Sequence, residues 1–317
     1  MAYTNENQQL MQKLSGEISK VIKGKGEAVQ LILTALLAQG HVLIEDVPGV
    51  GKTTLAMALG KATGLSFRRA QFTPDVMASD ITGFTMFNRE ENRFEYRSGL
   101  VMTNILLADE INRTSPKTQS ALLEAMEEKR VTVDGVVHQL PEPFIVIATQ
   151  NSQGDVGTFP LPEAQLDRFM IKISMGYPTV EEETGILLDR LGENPANEVR
   201  PVMTAEQLSA CIAEVQQVNF AESLCRYVAE LSAATRAHGG VELGVSPRAS
   251  LAIMQASRAY AYLDGRDYVV PEDIVRLMIP VFSHRIVLRQ EMKMRRMDVT
   301  TVLQDAVSAV TPPVRRR

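Results

Sequence analysis

Apolar positions recur at helical spacing from about Gln8 to Gln39 and predict two helices there. The second, Glu27 to Ala38, runs up to Gly40, a residue type that closes helices. The period then changes. HVLIEDV is an apolar run of strand length, followed by a Gly-rich turn and an apolar helix, TTLAMALGKATG. LSFRRA, NILLAD, FIVIAT and FMIKIS are further runs of strand type. They are nearly continuous in apolar residues, as expected of strands covered on both faces. Their alternation with helices predicts an α/β fold with a mostly parallel, doubly wound sheet.

Two hairpins interrupt this pattern. VTV-DG-VVHQL sets Asp134-Gly135 between two strand-like runs, the signal of a two-residue turn. FTMF and RFEY flank a charged tip from Asn88 to Asn92. Near Gly176-Tyr177-Pro178 the chain turns helical for the rest of its length. Thr204 and Gln207 form a capping box for a helix to about Val215. A second helix runs from about Ala221 to His238 and stops at Gly239-Gly240. Ser246-Pro247 opens a third, to about Leu263, and Pro271 starts another. The boundary falls between Met175 and Pro178. It divides a core of residues 1–177, which includes the N-terminal helices, from a smaller all-α domain of residues 178–311, with a flexible tail at 312–317.

At 45% hydrophobic and 22% charged residues, the 317-residue chain has the mix of a soluble globular protein with room for two cores. A net charge of −5 creates no demand for a nucleic-acid partner. The start, MAYTNENQQL, lacks the apolar segment of a secretory signal, and no apolar run is long enough to span a bilayer. Cys211 and Cys225, far from CxxC spacing, point to a reducing cytosol rather than a disulfide framework or zinc site. The four histidines form no local ligand pattern.

The sharpest chemistry lies in Asp46-Val47-Pro48-Gly49-Val50-Gly51-Lys52-Thr53-Thr54, between a strand and a helix. Two glycines let the backbone wrap phosphate oxygens, and the helix start supplies amide donors. Lys52 is expected to reach the β and γ phosphates, and Thr53 to ligate magnesium. Asp46 stands where the general pattern has Gly, a change tolerable at a strand exit. Ile105 to Glu110 is an apolar strand that delivers two acids at its C-terminal end, where open α/β sheets bind ligands. Asp109 suits magnesium and Glu110 the activation of water. A strand ending in two acids is also ordinary surface, so the phosphate loop upstream decides the reading. Asn151 ends a further strand on the same sheet edge. It reads equally as a turn residue and as a holder of water or γ phosphate. Arg168 reads either as a surface ion pair or as an arginine finger. Arg248, in the first turn of its helix, sits where the dipole disfavours a cation, which hints at an anionic ligand; a solvated arginine is the alternative.

FTPDVMASDITG (Phe72 to Gly83), ILLADEINRTSPKTQSALLEAMEEKRVTVDG (Ile105 to Gly135), IATQN and LPEAQLDRF together resemble the MoxR family of AAA+ ATPases, from about residue 17 to about residue 285. The resemblance implies a P-loop AAA+ core followed by a helical lid. It makes Lys52, Thr53, Asp109 and Glu110 the Walker A and B residues. It places Asn151 at the first sensor, Arg168 at the arginine finger and Arg248 at the second sensor. Arg113 is a rival for the role across a subunit boundary. The hairpin at Phe84 to Tyr96 falls at this clade's helix insert, and the Asp134-Gly135 hairpin at the pre-sensor position. In ring-shaped relatives both face the pore or the substrate side. Also implied are ATP and Mg2+ as cofactors, a hexameric ring, a von Willebrand A domain partner, and chaperone-like assembly or activation of client complexes, sometimes with metal-cofactor insertion. Two other readings use the same pocket: a nucleotide-gated scaffold with hydrolysis as a timer, and a DNA motor. The acidic balance and the lack of a helix-turn-helix or zinc module weigh against the motor.

Overall fold

The computed structural model describes residues 5–150, 158–191 and 198–313. Helix α1 (Glu6–Ser19) is opened by a reciprocal capping box between Asn5 and Gln8, and buries Met11, Leu14 and Ile18 along one stripe. Helix α2 (Gly26–Leu37) ends differently from the prediction. The left-handed closing residue is Gln39, at φ 54°, and Gly40 donates its N–H to the Ala35 carbonyl at 2.8 Å. Gly40 answers a steric demand instead, because a Cβ there would lie 2.4 Å from the Met170 sulfur.

The chain then runs β1 (Val42–Glu45), α3 (Lys52–Thr63), β2 (Phe67–Gln71), α4 (Ala78–Thr82), β3 (Gly83–Asn88), β4 (Arg93–Ser98), β5 (Ile105–Asp109) and α5 (Pro116–Glu128). Next come β6 (Arg130–Val133), β7 (Val136–Gln139), β8 (Ile145–Gln150), α6 (Glu163–Leu166) and β9 (Ile171–Ile173). Five strands form one parallel sheet in the order β2-β5-β8-β1-β9. Alternation along each strand sends side chains to two cores. Val42, Ile44, Ile105, Leu107, Ile147 and Ile171 face α1, α2 and α3. Leu43, Leu106, Ala108, Val146 and Ala148 face α5, Phe72 and Phe169. The expectation of strands buried on both sides holds for β5 and β8 but not for β2. That strand is at the sheet edge, and Arg68 and Arg69 are exposed.

Both hairpins form. Asp134 (φ 49°) and Gly135 (φ 80°) join β6 to β7, with both turn residues left-handed as the Asp-Gly pair predicts. Strands β3 and β4 pair in full register from Gly83–Ser98 to Asn88–Arg93. Tyr96 of β4 stacks on His138 of β7 with ring centroids 3.7 Å apart, so the hairpins touch.

The remainder is α7 (Val180–Arg190), α8 (Ala205–Gln217), α9 (Glu222–Ala237), β10 (Val241–Leu243), α10 (Pro247–Leu263), α11 (Pro271–Phe282), β11 (Val287–Leu288), α12 (Gln290–Met294) and α13 (Val299–Ala309). This part is not purely helical, since β10 and β11 pair antiparallel. Helix α9 closes through an extended His238, with no left-handed glycine. Helices α8 and α10 pack on α1 and α2, and one hydrophobic cluster runs from Met11 to Ala306. The N-terminal helices are thus a floor shared by the sheet and the later helices.

Candidate active site

Where β1 ends, the loop from Asp46 to Gly51 turns through two left-handed glycines, Gly49 (φ 87°) and Gly51 (φ 94°), into α3. Such angles are costly for any residue with a Cβ. No side chain caps α3 at its N-terminus, so the first-turn amides keep their donors for a ligand. The Lys52 Nζ donates to the Asp46 carbonyl at 2.9 Å across the loop. Burial lowers the Lys52 pKa, opposed by the charges of Asp46, Asp109 and Glu110, so three acids act on this ammonium.

Asp46, expected among the nucleotide-binding residues, has its carboxylate committed elsewhere. Its Oδ2 accepts from the N–H groups of Met175 (2.5 Å) and Gly176 (2.6 Å) and from Ser174 Oγ (3.2 Å). Its Oδ1 accepts from Val47 N–H at 2.8 Å. Burial would raise its pKa, but these donors, led by Gly176, outweigh it and hold the acid below its ordinary range. Asp46 clasps the mouth of the loop to the chain leaving β9, where a glycine could not.

Strand β5 delivers Asp109 beside Thr149 of β8. The Thr149 hydroxyl donates to Asp109 Oδ1 at 3.1 Å and accepts the Glu110 N–H at 2.9 Å. The other Asp109 oxygen accepts from Arg69 Nε at 2.7 Å. Glu110 adopts a left-handed backbone (φ 57°, ψ 49°), a strained choice for a residue with a side chain, of about 1–2 kcal/mol. Its carboxylate pairs with Arg113 of the same chain at 2.9 Å. Beside the loop, Val21, Ile22, Lys25, Val50, Thr54 and Ile186 help line a cavity of about 180 Å3. A larger cleft of about 510 Å3 between α1 and the later helices contains neither the loop residues nor Asp109 and Glu110.

Arg168 and Arg248 stand elsewhere. Arg168 meets one oxygen of Glu127 at 2.7 Å and Arg248 the other at 2.6 Å. Glu127 is in the last turn of α5, beside Met126. The Met126 carbonyl accepts from His41 Nε2 at 3.1 Å, while His41 Nδ1 accepts the Val146 N–H at 3.0 Å. His41 immediately precedes β1, so the arginines lie at the N-terminal end of the strands and Lys52 at the C-terminal end. The four residues of β1 put roughly 13 Å between the two ends. Arg248, expected among this chain's own nucleotide-binding residues, is therefore far from its phosphate loop, because Ser246 ties the start of α10 to Asp167 at 3.1 Å.

Residues 41–171 match the ATPase family associated with various cellular activities (AAA), and residues 233–306 match the AAA lid domain. Over 307 residues the chain is 39% identical to Chaperone MoxR1 of Mycobacterium tuberculosis (strain ATCC 25618 / H37Rv), covering 94% of this chain and 81% of that protein. The chain belongs to the MoxR family of AAA+ ATPases. It is also 49% identical over 316 residues to YeaC, an uncharacterised protein of Bacillus subtilis (strain 168), covering 100% and 99% of the two. A crystal structure from Cytophaga hutchinsonii ATCC 33406, described as that of a candidate ATPase, aligns with a TM-score of 0.91 at 34% identity, over 97% of this chain and 96% of that one.

For a MoxR-family ATPase the loop is a fitting cradle. It joins left-handed glycines, an uncapped helix and a lysine to two acids on the next strand but one. Among the described residues, no cluster of three or more His, Cys, Asp or Glu side chains could hold a metal alone. A magnesium ion would thus depend on Thr53 and Asp109 together with phosphate oxygens. Asn151 lies outside the described residues. Thr149, Arg69 and the apolar pair Val21-Ile22 were not singled out from the sequence. A signal for Thr149 was present: it sits level with Asp109 once β5 and β8 pair through Ala108 and Ala148.

Proposed function

We propose that this MoxR-family chain binds ATP with Mg2+ and hydrolyses it in a site completed by a second copy of itself, using turnover to remodel or activate client proteins. Val47 to Thr54 hold the phosphates, with Lys52 on the β and γ groups and Thr53 and Asp109 on magnesium, which neutralises phosphate charge when bound. Glu110 orients and activates the attacking water, and Asn151 takes the role of holding that water or the γ phosphate. The cavity at Val21, Ile22 and Ile186 takes the base. The carrying observation is the separation of the two ends of the sheet. Arg168 and Arg248 cannot reach Lys52 of their own chain, but head-to-tail packing brings them to a neighbour's phosphate. That packing closes into a ring, for which the family suggests six copies.

A chaperone-like role is supported by the name of the Mycobacterium relative, Chaperone MoxR1. The exposed Phe84, Met86, Phe87 and Phe94 of the β3–β4 hairpin offer an apolar grip for client polypeptide. A von Willebrand A domain protein is the partner we favour, and the cytoplasm the compartment. No described helix is long and apolar enough to cross a membrane.

The test is ATP turnover against protein concentration, for the wild type and Arg168→Ala, with ATP binding measured in parallel. Turnover per subunit should rise with concentration. Arg168→Ala should bind ATP and lose turnover by about 10³-fold or more. Concentration-independent turnover that survives the substitution would refute the shared site.

A further inference from the structure

The two arginines at the N-terminal end of the sheet are mounted on one frame built around the buried Arg285. Asp167 immediately precedes Arg168. Its Oδ1 accepts from Arg285 Nε at 2.5 Å, and its Oδ2 from Ser246 Oγ at 3.1 Å. Ser246 caps α10, accepting the Ala249 N–H at 3.2 Å, and Arg248 lies two residues beyond it. Arg285, only 5% exposed, also donates to the carbonyls of Asp167 (3.1 Å), Phe169 (2.7 Å) and Met170 (3.2 Å), and to that of Val281. The neighbouring His284 Nε2 donates to the Phe169 carbonyl at 2.9 Å. The single turn after α11 therefore grips the backbone on both sides of Arg168.

A buried guanidinium is a poor way to gain stability, because desolvation offsets most of its attraction. It is a good way to fix geometry, since its planar fork sets the direction of every bond. What the frame fixes is visible at Glu127. One carboxylate spans both arginines, at 2.7 Å and 2.6 Å, so the pair is spaced to share a single anionic group.

We infer that Arg285 is a positioning residue: through Asp167 and Ser246 it sets the spacing of Arg168 and Arg248 so that both meet one phosphate group of the neighbouring copy's nucleotide. The inference rests on the shared-site reading above. It adds a residue that touches no nucleotide and carries its effect through two others.

Subunit mixing tests it. Asp167→Asn keeps the shape of the side chain and removes the charge that Arg285 holds. It should lower kcat by about 10²-fold, the scale of a misplacement of about 1 Å, while KM and ATP binding stay within about twofold. Mixed with Glu110→Gln subunits, Asp167→Asn should regain turnover, because its intact pocket then meets an intact arginine pair. Arg168→Ala mixed with Glu110→Gln is the reference, and should regain turnover in the same way. If that reference stays silent, the shared site fails and this inference falls with it. If the reference recovers but Asp167→Asn turns over at the wild-type rate, or is not restored by mixing, the positioning role alone is overturned. A purely structural defect would follow the variant's own melting temperature and would not be complemented. Should Asp167→Asn fail to fold, Ser246→Ala, which keeps the Arg285 pair, is carried through the same mixing. About a tenfold loss confined to kcat and restored by Glu110→Gln subunits supports the frame; wild-type turnover, or a loss that mixing leaves in place, overturns it.

Discussion

At the C-terminal end of the sheet, the candidate ligand-facing groups come from two short stretches, the loop from Asp46 to Thr54 and Asp109 with Glu110 at one strand end, with Thr149 and Arg69 in support. At the N-terminal end, the charges come from residues 127, 168, 248 and 285, which belong to separate elements spread over about half of the chain. The first end is built by local backbone conformation, with left-handed Gly49, Gly51 and Glu110. The second is built by side chains that meet only after the whole fold has closed. Chemistry that one copy can prepare alone is written locally. On the shared-site reading proposed above, chemistry offered to another copy is written in tertiary structure.

The largest expected break in this comparison is Glu110→Gln. It should lower turnover by about 10³-fold while ATP remains bound, read by single-turnover hydrolysis beside nucleotide binding. Turnover near the wild-type rate would remove Glu110 from the water-activating role. Next is acid, which strikes the N-terminal end first. Burial lowers the His41 pKa to about 4, beneath the value of about 6.5 expected of an unfolded chain. Between those values the unfolded chain binds the extra proton, so stability falls as pH falls, by ~1.4 kcal/mol per unit from this one residue. His284, shifted the same way by burial, adds to the slope. Carboxylates held low, such as Asp46, contribute only under more acidic conditions. Urea unfolding at pH 7 and pH 5 should differ by about 2 kcal/mol or more, and equal midpoints would contradict the neutral, buried assignment.

Asp46→Ala sharpens the contrast from the other side. It leaves the amides of Met175 and Gly176 without their acceptor and should cost about 2–3 kcal/mol, read by chemical denaturation. A loss in ATP affinity without a loss in stability would mean that the carboxylate serves the bound nucleotide's magnesium after all. The smallest effect belongs to the hairpins. Phe94, 73% exposed, should be replaceable by Ser at under about 0.5 kcal/mol in thermal unfolding.

Much of this was legible in the sequence, for physical reasons. Strands buried on both faces betray themselves as apolar runs, and Ile105–Asp109 and Ile145–Gln150 did so. Asp134-Gly135 specified its own turn, because few other pairs tolerate two left-handed residues. Caps at Ser246-Pro247 and Thr204-Gln207 are bonds between near neighbours. Other features were hidden because their causes are distant in the chain. Gly40 looked like a helix stop, but its necessity comes from Met170. Asp46 looked like a member of the phosphate loop, but its carboxylate answers to the exit of β9. Arg248 looked like a partner for its own nucleotide, and only the docking of α10 at Asp167 shows which end of the sheet it serves. Edge strand β2 departs from the rule for buried strands, and the adjacent Arg68 and Arg69 within LSFRRA carried that signal, since an edge strand tolerates charge where a covered one does not.

The shared floor beneath the sheet and the later helices has a consequence for how the protein is made. Helices α1 and α2 are synthesised well before α10, which packs on both and is completed only at residue 263. Synthesis proceeds at roughly 5–20 residues per second, so Met11, Leu14 and Ile18 wait about 10 s or more for their full cover. A nonsense mutation that removes α10 would therefore present itself as exposed α1 and α2, and quality-control factors would meet the damage more than 200 residues before its cause.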